Sequence, residues 1–213
     1  MTIKHHLDDA TLMAYAAGSL PEAFNLIIAA HVSLCDACRA GLHSFEAVGG
    51  ALLDEIATAP MDDDSLARTL AKLERLPKET TPSFRPRGVL PDPVQDYVGG
   101  DLDAVRWRPV GMGVKQAILP TSREASARLL YIPAGVAMPD HSHGGMELTL
   151  VLQGAFMDED DRFGRGDIET ADASVTHTPT AAPGQDCICL AVTDAPLRFQ
   201  GWLPRLVQKF VRI

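Results

Sequence analysis

Residues 135–154 read GVAMPDHSHGGMELTLVLQG, and the spacing within them decides the second half of the chain. Gly135 is followed by His141, His143, Glu147 and Gly154. His141 and His143 stand two apart, so on a strand both imidazoles leave the same face of the sheet. Gly144 and Gly145 permit a tight turn, after which Glu147 opens the next apolar run. Imidazoles with a carboxylate suit zinc, iron, manganese or nickel, and donor type alone does not choose among them.

The sequence around this stretch has one texture. Short β-type runs at 104–110, 114–119, 127–132, 147–152, 155–158, 174–177, 187–192 and 197–202 are separated by Gly, Pro and Asp. Many short strands at regular spacing predict a barrel or sandwich. The Gly-x5-His-x-His-x3-Glu-x6-Gly pattern resembles the first motif of the cupins over about residues 95–195. Their second motif places a histidine eleven residues after a glycine, and Gly166 to His177 is similar. Its usual Pro and second Gly are replaced by Asp172 and Ser174, and its final Asn by Ala181. The resemblance implies an all-β cupin domain, a double-stranded β-helix or jelly-roll barrel, over 94–213. Its ligands would be His141, His143, Glu147 and His177, holding zinc or another divalent transition metal.

Upstream, residues 77–93 carry Pro77, Pro82, Pro86, Pro91 and Pro93 with scattered charge, the composition of a linker. Residues 1–76 read instead as helices. Leu12, Tyr15 and Ala16 share a face before Gly18, and Ser19 with Glu22 reads as a capping box. Leu42, Phe45, Val48, Leu52 and Ile56 keep a helical period, and Leu66, Leu70 and Leu73 form one stripe on a short helix after Asp62, Asp63 and Asp64. That stripe needs something to pack against. The architecture expected is multidomain: a small all-α module, a linker, and an all-β domain.

His31, Cys35 and Cys38 have the form H-x3-C-x2-C, which a continuous helix would place on one face. Thiolates and imidazole are zinc ligands, and a structural zinc takes four. His5, His6 and His43 are available for the fourth place. So small a helical unit has little core, and a bound metal would supply the missing stability.

His6, Leu12, Tyr15, Gly18, Leu20, Ala30, His31, Cys35, Asp36, Ala37, Cys38 and Arg39 together resemble the zinc-binding anti-sigma domain. The resemblance covers about residues 1–76 and implies His6, His31, Cys35 and Cys38 as zinc ligands. Such a domain fused to a cupin is similar to the ChrR-type anti-sigma factors. What this implies is a regulator that is not an enzyme. It would sequester an extracytoplasmic-function-type sigma factor, block its access to RNA polymerase, and release it under oxidative stress such as singlet oxygen, sensed through the cupin. The competing class is a cupin metalloenzyme, a dioxygenase or isomerase, with an accessory zinc-binding interaction domain. The residues show ligands but no separate acid, base or substrate-binding set.

Charge admits two readings, a basic protein partner or acidic residues that merely keep the surface soluble. The chain carries a formal −9, and its first 76 residues hold 5 basic against 11 acidic groups. An acidic module repels phosphate backbones, which argues against direct nucleic-acid binding. No run approaches the ~20 apolar residues of a membrane helix, and the N-terminal MTIKHH lacks a signal-peptide core. A cytoplasmic protein without a membrane partner is expected; the pattern says nothing of its oligomeric state. In a reducing compartment the Cys35/Cys38 pair reads as metal-binding, and Cys187/Cys189, in an apolar run, as small buried hydrophobes. The acidic run 158–161 reads as a solvated hairpin turn.

Overall fold

The computed structural model describes residues 2–76, 88–142, 144–158, 161–172, 174–196 and 198–199. His143, the first part of the expected linker (77–87), the acidic pair 159–160, and residues 200–213, whose stretch 206–213 reads from sequence as a short capping helix or a strand, lie outside the described residues.

The chain opens with helices α1 (Asp9–Ala16), α2 (Glu22–Leu34), α3 (Asp36–Asp54) and α4 (Ser65–Leu73). Asp8 caps α1, its side chain accepting from the Thr11 N–H at 2.6 Å, which satisfies one of the free amides of the first turn. The expected capping box on α2 does not form. Pro21 occupies the N-cap position without a side-chain bond, and Ser19 Oγ donates to the Ala14 carbonyl instead. Glu22 is drawn away by tertiary partners: it accepts from Tyr97 OH and from the Ser122 N–H, both at 2.7 Å.

The expected continuous helix through 31–38 is also corrected. Cys35 takes an extended conformation (φ −108, ψ 106), ending α2 and capping α3. The two helices meet at a bend of 118°. Arg39 secures the corner, donating to the Val32 carbonyl at 2.9 Å and pairing with Asp36. No single helix among the described residues is long and apolar enough to cross a membrane.

A fifth helix, α5 (Asp92–Val98), begins inside the stretch expected to be linker. Prolines at the N-cap and first-turn positions are compatible with a helix start, because those amides have no intrahelical partner. After a short 3₁₀ turn (Leu102–Ala104) the strands follow: β1 (Arg108–Gly111), β2 (Val114–Ile118), β3 (Ser126–Ile132), β4 (His141–Ser142), β5 (Glu147–Gln153), β6 (Ala155–Met157), β7 (Arg162–Gly164), β8 (Ile168–Ala171), β9 (Thr176–His177), β10 (Thr180–Ala181), β11 (Cys187–Thr193) and β12 (Arg198–Phe199). They form a six-stranded sheet, β1-β2-β3-β11-β5-β8, and two three-stranded sheets, β10-β6-β7 and β12-β4-β9. β1 starts four residues later than expected, and β4, β7, β8 and β10 escape the apolar pattern because their sequences, HS, RFG, IETA and TA, hold few apolar residues.

Strand period sorts the large sheet into two faces. Arg128, Leu130, Glu147, Thr149, Cys189, Ala191 and Thr193 face the barrel interior. Leu129, Leu148, Leu150, Leu152, Leu190 and Val192 face outward, yet they too are buried. What covers them is α2, which packs across β3, β5 and β11 and against α5. A helix placed between a sheet and other helices must be apolar all round. Accordingly Ala23, Phe24, Leu26, Ile27, Ile28, Ala30 and Val32 are all buried. Burying one such large side chain stabilises by roughly 1.5–3 kcal/mol. Helical module and barrel therefore share one apolar core, which runs from Leu12 through Ile27 to Leu190.

Two candidate metal centres

The corner at Cys35 gathers donors from three segments. The ligand-type atoms of His6, His31, Cys35 and Cys38 all lie within 4.8 Å of one another. His31 Nε2 is 3.2 Å from Cys38 Sγ, and His6 Nδ1 is 3.3 Å from Cys35 Sγ and 3.6 Å from Cys38 Sγ. A tetrahedral ion with sulfur at ~2.3 Å and nitrogen at ~2.0 Å needs sulfur–nitrogen edges of about 3.5 Å. The cluster has that size, and it can bind a metal ion. The structure brings His6 into it. His5 instead turns toward Asp161, 2.9 Å away, and rests on the Phe163 ring, while His43 is exposed on α3 and outside the cluster.

Burial disfavours charge on two of these donors. Burial, with the neighbouring His6 adding to it, holds His31 down to about 4, against the pull of the Gly166 carbonyl. The ring is therefore neutral at pH 7 and able to donate a lone pair. Burial and the adjacent Cys35 push the Cys38 thiol up to about 11, although a Leu7 backbone bond works against them. A buried thiol in neutral surroundings does not ionise by itself; a divalent cation among these donors would supply the charge that makes it a thiolate.

The second centre lies in the barrel. His141 on β4 and His177 on β9 face each other in register, with ring centroids 4.8 Å apart. Both border a cavity of about 70 Å³ together with Glu147, Glu169, Arg128 and Cys189. His141 Nδ1 donates to the Pro139 carbonyl at 2.8 Å, which leaves Nε2 as its donor atom. Gly145 lets the β4–β5 connection pass close to Asp194. A Cβ there would sit 2.0 Å from its carboxylate, which accepts the Met146 N–H at 2.9 Å just before Glu147. His143 lies outside the described residues.

Two carboxylates here were not anticipated. Asp158, expected in a solvated turn, instead accepts from His177 Nδ1 at 2.7 Å, and Glu169 stands 3.5 Å from the same nitrogen. Asp158, Glu169 and His177 form a second group of ligand-type atoms within 4.8 Å. Burial works against charge on His177, but hydrogen bonds and charge from Glu169 and Asp158 outweigh it and raise the ring to about 9. Glu169 carried a weak signal, since it lies inward on the I-E-T-A strand that leads toward His177. Asp158 carried none, because acidic residues after a strand usually face water.

Arg128 is buried beside this cavity, where burial lowers its guanidinium and Glu147 opposes the shift. It donates to Gln116 Oε1 and Ser126 Oγ, both at 3.2 Å. Cys187 and Cys189 are buried free thiols, and their mutual contact, reinforced by burial, pushes Cys189 well above its ordinary value. At the second motif Asp172 accepts from the Ser174 N–H at 2.8 Å. The replaced motif positions thus support the turn with a side-chain cap.

Residues 95–196 match the family model described as ChrR Cupin-like domain. Over 213 residues, all of both chains, the sequence is 59% identical to a protein of Cereibacter sphaeroides named anti-sigma-E factor ChrR. The chain belongs to the ChrR family of anti-sigma factors. A crystal structure of Rhodobacter sphaeroides SigE in complex with the anti-sigma ChrR superposes with a TM-score of 0.82 at 56% identity. The match covers 91% of this chain and 100% of that one. The two chains therefore share this order of a helical module followed by a cupin.

Proposed function

We propose that this chain is an anti-sigma factor of the cytoplasm, a regulator and not an enzyme. Its helical module, residues 1–76, holds zinc through His6, His31, Cys35 and Cys38 and sequesters an extracytoplasmic-function-type sigma factor away from RNA polymerase. Its cupin domain, residues 94–213 beyond the linker, holds zinc or another divalent metal through His141, His143, Glu147 and His177. That domain senses oxidative stress such as singlet oxygen and triggers release.

The observation that carries this reading is the apolar surface outside the shared core. Val48, Leu52, Leu53 and Ile56 around the end of α3, Leu66, Leu70 and Leu73 on α4, and Leu76 beyond it are at least 50% exposed. Exposed apolar side chains concentrated in this way mark a protein-binding surface. Its acidic surroundings suit a partner with basic groups. The barrel cavity supports a regulatory rather than a catalytic role. At about 70 Å³ it is well below the ~300–1,000 Å³ of ordinary small-molecule sites.

The zinc assignment follows from donor chemistry. Two soft sulfurs and two imidazoles at tetrahedral distances suit zinc above the harder cations. The deciding experiment is co-purification of the tagged full chain with its cognate sigma factor, compared with a Leu66→Ser/Leu70→Ser/Leu73→Ser variant. Recovery by the wild type and loss by the variant, with unchanged thermal melting, is expected. Equal recovery by both would move the interface off this face.

A further inference from the structure

The N-terminal cluster does not stand alone on its helices. Its ring donor His31 has a second nitrogen, and Nδ1 donates to the Gly166 carbonyl at 3.0 Å in a buried bond spanning 135 residues. Its neighbour His6 sits on a segment with no regular structure, ahead of α1. That segment is held from the same place. Asp167 Oδ1 accepts from the Lys4 N–H at 2.6 Å and the His5 N–H at 3.1 Å. Its other oxygen accepts from the Gly164 N–H at 2.7 Å, and the His5 carbonyl accepts from the Ile168 N–H at 3.4 Å. Ile3 closes over Gly166, where φ is +89 and a Cβ would lie 2.6 Å from Ile3 Cδ1. Only glycine combines that conformation with that approach.

We infer that the barrel turn Gly164–Asp167 is the outer support of the N-terminal metal site, fixing the tautomer of His31 and the path of the segment that delivers His6. The inference deepens the metal reading of that cluster and rests on it. A ligating imidazole needs its other N–H engaged so that the metal-facing nitrogen keeps its lone pair, and here a carbonyl from the other domain does this. A ligand on an irregular segment binds only as well as the segment is ordered, and Asp167 orders the two residues before His6. Metal affinity in the helical module is thus coupled to the barrel's docking on it, and by linkage the metal tightens that docking in turn. Asp167 leads directly into β8, which two residues later carries Glu169 into the barrel cavity. One strand end therefore touches both centres.

The test uses the full chain and cobalt(II) as the probe metal, in competition with a chelator. The thiolate-to-cobalt absorption band reports the N-terminal site, assigned by its disappearance in Cys35→Ser. Outer supports of this kind are worth about 10–100-fold in metal affinity, and Asp167→Ala is expected to lose that much. Ile3→Ala, which leaves every hydrogen bond inside the barrel intact, should lose roughly several-fold. Asp186→Ala, which removes a carboxylate serving Tyr131 and the Ala134 N–H, should bind cobalt as the wild type does. Wild-type affinity in Asp167→Ala, or an equal loss in Asp186→Ala, overturns the inference while leaving the metal site standing. Should Asp167→Ala fail to fold, Ile3→Ala decides, and unchanged affinity there overturns it. A wild-type chain without the thiolate band overturns the metal reading, and this inference with it.

Discussion

In the helical module the four donors come from the corner between two helices and from an irregular N-terminal segment, whereas in the barrel His141 and His177 stand opposite each other on paired strands. The first set is soft, two thiols and two imidazoles; the second is imidazole and carboxylate. Sheet hydrogen bonds hold the barrel donors whether or not a cation is present. At the Cys35 corner the donors come from separate segments that no strand pairing joins. On the proposed reading the soft set is structural and the imidazole–carboxylate set responsive.

That contrast breaks first, and most severely, at the corner. Structural zinc contributes roughly 10–16 kcal/mol in small domains, as much as the whole ~5–15 kcal/mol stability of a typical domain. Cys35→Ser or His31→Ala should abolish repression of the sigma-dependent promoter. Hydrogen exchange should show α1 and α3 losing protection while β3, β5 and β11 keep theirs. Full protection of α1 and α3 in a metal-free mutant would make the corner self-sufficient and erase the contrast.

The next largest effect belongs to the partner face. Leu70 is half exposed on α4 and contacts no core, so Leu70→Asp should leave melting unchanged. Removing one buried leucine from the complex costs roughly 1.5–3 kcal/mol, about 10–150-fold in affinity, and titration calorimetry with the sigma factor measures it. A fall in melting temperature with unchanged affinity would mean that the stripe serves the fold.

Barrel ligands should behave differently from corner ligands. His141→Ala or Glu147→Ala leaves the apolar face of α3 and α4 untouched, so repression should persist while induction by oxidant falls several-fold. Reporter transcription at matched protein levels, with and without oxidant, distinguishes the two. Full induction in both barrel variants would place the sensor at the Cys35/Cys38 thiols.

What could be seen in advance followed from how local each feature is. The strands β2, β3, β5 and β11 were visible because their residues alternate between two apolar surroundings. His31, Cys35 and Cys38 were visible because soft donors three and four residues apart are rare. Their convergence has a different cause from the one expected, namely a break at Cys35 that no period reveals. Glu22 read as a capping residue because its partners Tyr97 and Ser122 lie 75 and 100 residues away. Asp158 and Glu169 were missed for the same reason: each matters only through His177, which the sheet closure alone brings near. The apolar run of α2 had no assigned partner, because nothing local shows that it packs on the barrel's outer face.

The smallest predicted effect tests that shared core at its edge. Glu22 ties the start of α2 to Tyr97 on α5 and to the Ser122 amide of the β2–β3 loop. The hydrogen bond to Glu22 raises the Tyr97 hydroxyl to about 12, and the bond from Tyr97 lowers the Glu22 carboxyl below its usual value. A group whose pKa rises on folding contributes stability that is complete below its unfolded value and lost as pH climbs through the folded one. For Tyr97 that loss falls between about 10 and 12. For Glu22, lowered on folding, the contribution is present at neutral pH and lost as acid protonates the carboxylate. Glu22 is exposed and Tyr97 only partly buried, so water screens the pair and each limb should be shallow. Tyr97→Phe should therefore flatten the alkaline limb of the melting profile and Glu22→Gln both limbs, with melting at pH 7 lowered by about a degree or two at most. If both variants instead track the wild type from acid to alkali, this latch contributes nothing, and the apolar surface of α2 with the contacts of the Gly164–Asp167 turn holds module and barrel together.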